Sequence, residues 1–204
     1  EDTINNYNFY AQNVLYFKNE ERIEIKGKVK ALIETDFEFN TKDITILRNE
    51  MIIRSDEGGT ITDEINQTKY EIGRFSYDLE KEILKGEKIF INTKYKEPFS
   101  DKYFFKSAVF NLKTQNYIAQ DIIIDFKKDI FGNKNNDPRF KGLSSSSKNG
   151  VTTINKGVFT TCKKNDKCPP WEIQADKITY DESKKQIEYN NALVKIYDIP
   201  VLYF

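Results

Sequence analysis

Histidine is absent from this chain, and cysteine occurs only twice among its 204 residues. Without histidine there is no Ser-His-Asp or Cys-His catalysis. The commonest metal ligand and the side chain that titrates nearest neutral pH are missing too. Two cysteines cannot supply the four N or S ligands of a tetrahedral zinc site, and they are not spaced as C-x-x-C. No metal or other cofactor is expected, and any enzyme here would work with carboxylates, Lys, Tyr or Cys. Net charge is missing as well. The 32 Lys and Arg balance 32 Asp and Glu, which argues against nucleic acid as a partner. No apolar run approaches the roughly 20 residues of a membrane helix.

What is present is aromatic and β-branched. Phe, Tyr and Trp make up 14% of the chain, which argues against disorder. A chain of this length buries roughly 70% of its unfolded surface and folds without metal or dense disulfides. It opens at Glu1 without Met and stops at Phe204, directly after the apolar run from Ile199. It therefore reads as a fragment, with a targeting segment and downstream chain removed.

Apolar residues alternate with polar ones along most of the chain. Ile23 and Ile25 begin a phase that Gly27 and Val29 extend, with Lys26, Lys28 and Lys30 on the opposite face. Ile44 with Ile46, Ile89 with Ile91, and Ile122 with Ile124 repeat it, and Ile173, Ala175, Ile187 and Tyr189 continue it. Period two marks a half-buried antiparallel strand. Turn clusters separate the runs, at Lys18–Glu21, Ser55–Gly59, Lys113–Asn116 and Asp181–Lys185. Helical spacing is scarce, and 77–89 reads as either a short helical turn or a hairpin. The expected class is all-β, a sandwich, barrel or jelly roll built as one domain over 1–204.

The chain also repeats itself. Ala11–Tyr16, a polar turn and Arg22–Gly27 match Ala175–Tyr180, a polar turn and Gln186–Asn191 at the same internal spacing. Weaker copies start at Phe75 and Val109. Each copy reads as strand, tight turn, strand. A lone hairpin is marginal in water, so the copies must stack, giving two sheets that face each other across an apolar interior. The stretch 131–150, rich in Asn, Gly, Ser and Lys, breaks the pattern and is expected to be a mobile polar loop.

Few residues could carry chemistry. Cys162 and Cys168 flank a five-residue polar loop. In an exported protein they read as disulfide candidates, bonded either to each other or to cysteines downstream. Carboxylate pairs such as Asp36 with Glu38, or Asp176 with Asp181, suit glycosidases. With 32 acidic residues, chance pairs on solvated faces are the better account. Gly58-Gly59 lacks the following Lys-Ser/Thr of a phosphate loop.

The last quarter carries a family resemblance. Thr161-Cys162, Pro169-Pro170-Trp171, Gln174-Ala175-Asp176-Lys177-Ile178 and Ile199-Pro200-Val201-Leu202-Tyr203-Phe204 occur in that order. The segment 157–204 resembles the periplasmic N-terminal, OstA-like domain of the LptD family of outer-membrane lipopolysaccharide-assembly proteins. The upstream repeat resembles the broader OstA-like pattern of the bridge proteins LptA and LptC. The resemblance implies a non-catalytic β-jelly roll, two facing and mostly antiparallel sheets open along one side, at the periplasmic face of the outer membrane. It would carry lipopolysaccharide through a hydrophobic groove from the periplasmic bridge to a barrel downstream of Phe204. Candidate groove residues are Ile23, Ile25, Ile44, Ile46, Ile89, Ile91, Ile122, Ile124, Ile178, Ile187 and Tyr189. The implied partners are lipopolysaccharide, an LptA-like bridge protein that adds a strand at the edge marked by Phe9, Ala11, Asn13 and Leu15, and an LptE-like lipoprotein with the barrel. In that family, periplasmic cysteines bond to the barrel. Cys162 and Cys168 lie close together, a departure from that pattern. The alternative function is a periplasmic β-sandwich module that binds carbohydrate or protein around an ordinary filled core.

Overall fold

The computed structural model describes residues 7–33, 37–114, 116–128, 135–165, 170–181, 183–184 and 186–204; at 7–9, 33 and 37 only the backbone is described. It is almost entirely strand. The elements are β1 (Tyr7–Tyr10), β2 (Asn13–Phe17), β3 (Arg22–Ile33), β4 (Phe37–Leu47), β5 (Ile52–Ser55), β6 (Gly59–Asp63), β7 (Thr68–Ile72) and β8 (Arg74–Asp78). They continue as β9 (Ile83–Asn92), β10 (Lys102–Asn111), β11 (Asn116–Asp125), β12 (Arg139–Lys148), β13 (Val151–Thr160), β14 (Trp171–Asp181), β15 (Gln186–Ile196) and β16 (Ile199–Tyr203). The all-β expectation holds. All strands join one antiparallel sheet in which sequence neighbours are also spatial neighbours.

That sheet is bent along one line. On a flat strand, inward side chains recur every second residue. Here the inward phase slips once per strand, from Phe39 and Thr41 to Ile44 and Ile46, from Leu84 and Gly86 to Ile89 and Ile91, and from Ile187 and Tyr189 to Ala192. The two skipped residues point outward, and one of them falls out of the paired register. Phe105 pairs with Ile122 and Ser107 with Gln120, leaving Lys106 and Asp121 unpaired between them. The left-handed backbones of Lys88, Asp121, Lys156 and Asn191 lie on this line. So does Gly27 at φ 99°, where a Cβ would meet the Gln12 side chain at 2.4 Å. Phe105 and Phe110 show the consequence. Five residues apart on a straight strand they would be about 16 Å apart and on opposite faces. Their ring centroids are 6.0 Å apart.

The two facing layers expected from the repeat are therefore two wings of one sheet, joined by a crease. Where the chain breaks at the crease, a bent strand is scored as two: β1 with β2, β5 with β6, and β7 with β8. Gly58 and Gly59 thus carry the chain from one wing to the other and do not close a hairpin. The ambiguous stretch 77–89 is the β8–β9 hairpin.

The repeat is structural. Asn13 pairs with Lys26, Val14 with Ile25 and Tyr16 with Ile23. At the same internal offset Lys177 pairs with Asn190, Ile178 with Tyr189 and Tyr180 with Ile187. Gly27 and Asn191, equivalent in sequence, both take positive φ at the crease.

One expectation fails. Of the stretch 131–150 expected as a mobile loop, 139–148 form β12, paired on both sides, and 131–134 lie outside the described residues. Its Ser and Gly content reflects crowding inside the bend. A Cβ on Gly142 would stand 2.3 Å from Ile154 Cγ2, and Ser145 is buried at the next inward position. An Asn149-Gly150 turn, both residues at positive φ, closes β12 onto β13 as a two-residue hairpin.

Candidate functional site

The interior between the wings is the most continuous apolar surface of the molecule. Its floor lies along the crease, where Ile25, Ile44, Ile89, Phe105, Ala108, Ala119, Ile122, Ile178 and Ala192 are buried. Rings bind the wings together above this floor. Phe39 meets Phe75 edge-on at 5.3 Å, and Phe105 meets Tyr117 at 5.6 Å. One step further from the crease, burial falls. Ile23, Ile46, Ile91, Tyr103, Phe110 and Ile187 are half-buried and pack against the core, as does Tyr189 beside the crease at the last end of the stack. The interior is thus sealed at the crease and grades toward solvent between the two rows of hairpin turns.

Among the described residues, neither end of the stack is capped. At the first end Val14 and Tyr16 are paired with the inward residues Ile25 and Ile23, yet are 60% and 49% exposed. At the last end Leu202 pairs with Val194 and is 57% exposed, and Phe204, 55% exposed, lies 6.5 Å from the Tyr189 ring. The twelve bent strands, β1/β2 to β15, at roughly 4.8 Å spacing give an apolar interior about 50 Å long, open to solvent at both edges.

Of the eleven candidate groove residues, Ile25, Ile44, Ile89, Ile122, Ile124 and Ile178 are fully buried in the core. Ile23, Ile46, Ile91 and Ile187 stand at the mouth, and Tyr189 is half-buried beside the crease at the last end of the stack. The structure adds inward aromatics that alternation alone did not single out: Phe39, Phe75, Phe105, Phe110, Tyr117, Phe140 and Phe159. Their signal is the one-residue slip of the inward phase at the crease. Burial pushes the phenols of Tyr70, Tyr117 and Tyr189 above their ordinary value.

The expected partner edge is an edge. β1 and β2 each pair only with β3 among the described strands. Asn13 and Leu15 lie exposed on β2, Ala11 lies exposed between β1 and β2, and Phe9 is described by its backbone, opposite Ala31.

The cysteine motif converges on one turn. Cys162 is a half-buried thiol with Sγ 3.6 Å from the Trp171 carbonyl, which also accepts a 2.6 Å hydrogen bond from Thr160 Oγ1. Arg139 donates to the Cys162 carbonyl, and Trp171 meets Phe159 edge-on at 5.9 Å. Cys168 lies outside the described residues.

The described members of the candidate carboxylate pairs are each tied to a cation. Asp176 accepts from Lys156 and from Asn191, and the Lys156 bond in particular holds it below its ordinary value. Asp181 accepts from Ser183 first and from Lys184, which pull it down to about 2. Glu38 is held down by Asn40 and Lys30, and Asp36 lies outside the described residues. A general acid needs its pKa raised toward the working pH, the opposite direction. Among the described residues, no group of three or more Cys, Asp or Glu could hold a metal ion.

No protein-family model matches this chain, and no curated protein matches it.

Proposed function

We propose that this chain is the OstA-like periplasmic part of an LptD-type protein that carries lipopolysaccharide between its wings from a periplasmic bridge to an outer-membrane barrel. The observation that carries the reading is the apolar interior that runs the length of the stack, uncapped at both edges among the described residues and half-exposed at its mouth. Each acyl CH₂ moved from water onto such a surface gains about 0.8 kcal/mol. A row of similar half-buried side chains spreads that gain evenly, so a lipid slides from strand to strand. Ile23, Ile46, Ile91, Ile187 and Tyr189 would touch the chains, and the six buried isoleucines would form the floor beneath them. The β2 edge would accept a strand from an LptA-like bridge. The barrel, its LptE-like lipoprotein and any disulfide from Cys162 or Cys168 belong to this reading as well.

A second reading has its own support: six of the eleven candidates sit in a filled core, as in a binding module for carbohydrate or protein. Site-specific photo-crosslinking separates the two. A photoreactive residue at Ile46 or Tyr189 should capture lipopolysaccharide, while one at the outward-facing Lys26 or Lys28 should not. Equal capture at all four, or none at the mouth, refutes the transport reading. Leu15→Pro should weaken capture of the bridge protein while leaving the circular dichroism spectrum intact.

A further inference from the structure

A second concave surface lies on the opposite face of the sheet. It is a concavity of about 440 Å³ on the outer side of one wing, across β5, β8, β9, β10 and β11. Its floor is the backbone of Gly86 and of residues whose side chains are buried in the core, including Phe75, Ala108 and Ala119. Its contents follow from register. Arg54 pairs with Ser76, Ser76 with Lys85, Lys85 with Val109 and Val109 with Ile118. Arg74 lies two positions from Ser76 on the same strand and the same face.

The Ser76 hydroxyl therefore stands among three cations, at one end of a row whose other end is apolar. Ile118 is 67% exposed and Val109 is 41% exposed, although both belong to strands whose inward faces are buried. Asp56 reaches Arg74 only at 3.7 Å, and Glu87 stands opposite Arg74, so the concavity keeps one net positive charge. Among the described residues Arg54 and Lys85 have no carboxylate partner.

We infer that this concavity binds a single-chain anionic amphiphile, with its carboxylate or phosphate head at Arg54, Arg74 and Lys85 and its alkyl chain against Val109 and Ile118. The arrangement matches such a ligand in charge and in length. Three strand spacings separate Ser76 from Ile118, about 14 Å. Guanidinium groups offer charge-assisted hydrogen bonds to either kind of head group, and the volume falls within the usual range of small-ligand sites. The site is independent of the interior, because it faces the other way.

The test is a titration of the isotope-labelled chain, followed by backbone amide shifts, with n-decyl phosphate and with decanoate, both below their micelle concentrations. Inorganic phosphate and decyl maltoside provide the head and the tail alone. Saturable shifts should appear at 74–76, 85–87, 107–109 and 118–120 with both anionic amphiphiles. The head or the tail alone should bind at least roughly tenfold more weakly. Arg54→Gln with Arg74→Gln should weaken n-decyl phosphate by at least roughly tenfold, and Ile118→Ser should weaken it as well. Both variants lie on the outer face and should keep the parental circular dichroism spectrum. The inference is overturned by shifts confined to interior positions such as 44–46 and 89–91, by equal affinity for decyl maltoside, by binding that survives the double substitution, or by no saturable shift.

Discussion

Placing a methyl group at Gly142 tests the crease directly. Gly142 does not use a positive φ, so alanine there meets no backbone strain. The cost is steric. The new Cβ would stand 2.3 Å from Ile154 Cγ2 and 3.2 Å from Ile122 Cγ2, against roughly 3.5–4.0 Å for ordinary carbon contact. Ile154 is buried, and its branched Cβ leaves χ1 little freedom, so the overlap is relieved by moving strands apart. Overpacking of this kind costs about 1–3 kcal/mol, while loss of glycine freedom in the unfolded chain returns about 0.4–1 kcal/mol. The net expectation for Gly142→Ala is a loss of about 1–2 kcal/mol, or a fall of about 2–8 °C in Tm for a chain this long. Urea unfolding followed by far-ultraviolet circular dichroism measures it. Ile154→Ala supplies the second arm of a double-mutant cycle, because it removes the Cγ2 that the new methyl strikes. Gly142→Ala should cost markedly less in that background. Stability equal to the parent, or the same penalty with and without Ile154, would refute the packed crease.

Other outcomes follow from single contacts. Asp43 accepts hydrogen bonds from Ser55 Oγ at 2.7 Å and from the amides of Asp56 and Glu57 at 3.3 and 3.1 Å. Asp43→Ala should cost about 1–3 kcal/mol and speed amide exchange at 56–58, and unchanged exchange there would count against it. Asp181, Asp176, Asp137, Asp78 and Glu38 all have their folded pKa lowered by hydrogen bonds or cations. A lowered folded pKa gives stability that is present above the unfolded value and is lost as pH falls through the folded one. For Asp181 that window runs from 3.8 down to about 2. Acid titration of the unfolding midpoint should therefore fall through this range, and Asp181→Asn should flatten part of the slope. A slope identical to the parent's would sink that assignment.

Alternation made the strands legible, because a half-buried strand writes its burial into every second residue. The repeat at Ala11 and Ala175 was legible for the same reason: two hairpins doing the same job in the sheet keep the same inward positions. The crease was harder to see. It is written as a slip of one residue in the inward phase, and each strand then looks like two short runs, such as Ile44-x-Ile46 or Ile122-x-Ile124, where one long bent strand exists. β12 was misread because a strand lying inside the bend must be small there, and Ser144–Ser147 look like a loop when composition is read without the neighbouring Ile122 and Ile154. The candidate interior was half legible. Period two identifies which side chains point inward, but depth depends on distance from the crease, which separates Ile44 from Ile46 and Ile89 from Ile91.

The two open edges are not equivalent, and the difference assigns a direction to the stack. An unpaired edge strand is a template for another strand unless proline, charge or a bulge blunts it. β16 is blunted: Pro200 cannot donate to a ladder, and its pairing with β15 already shifts register between Val194 and Lys195. β2 reads Asn-Val-Leu-Tyr-Phe, with neither proline nor charge. Strand addition should thus occur at β2, while β16 offers side chains without a regular ladder. Single cysteines in a Cys162→Ser, Cys168→Ser background make this measurable. At high protein concentration under mild oxidation, Leu15→Cys should form disulfide-linked dimers faster than Val201→Cys, although the two parent side chains are about equally exposed, at 53% and 52%. Proline placed at Asn13, whose amide faces the same edge as that of Leu15, should abolish the Leu15→Cys dimer by removing an amide from the pairing strand. Faster dimers through Val201→Cys, or dimers at Leu15→Cys that ignore the proline, would show that side-chain stickiness governs these edges and that the strand template does not.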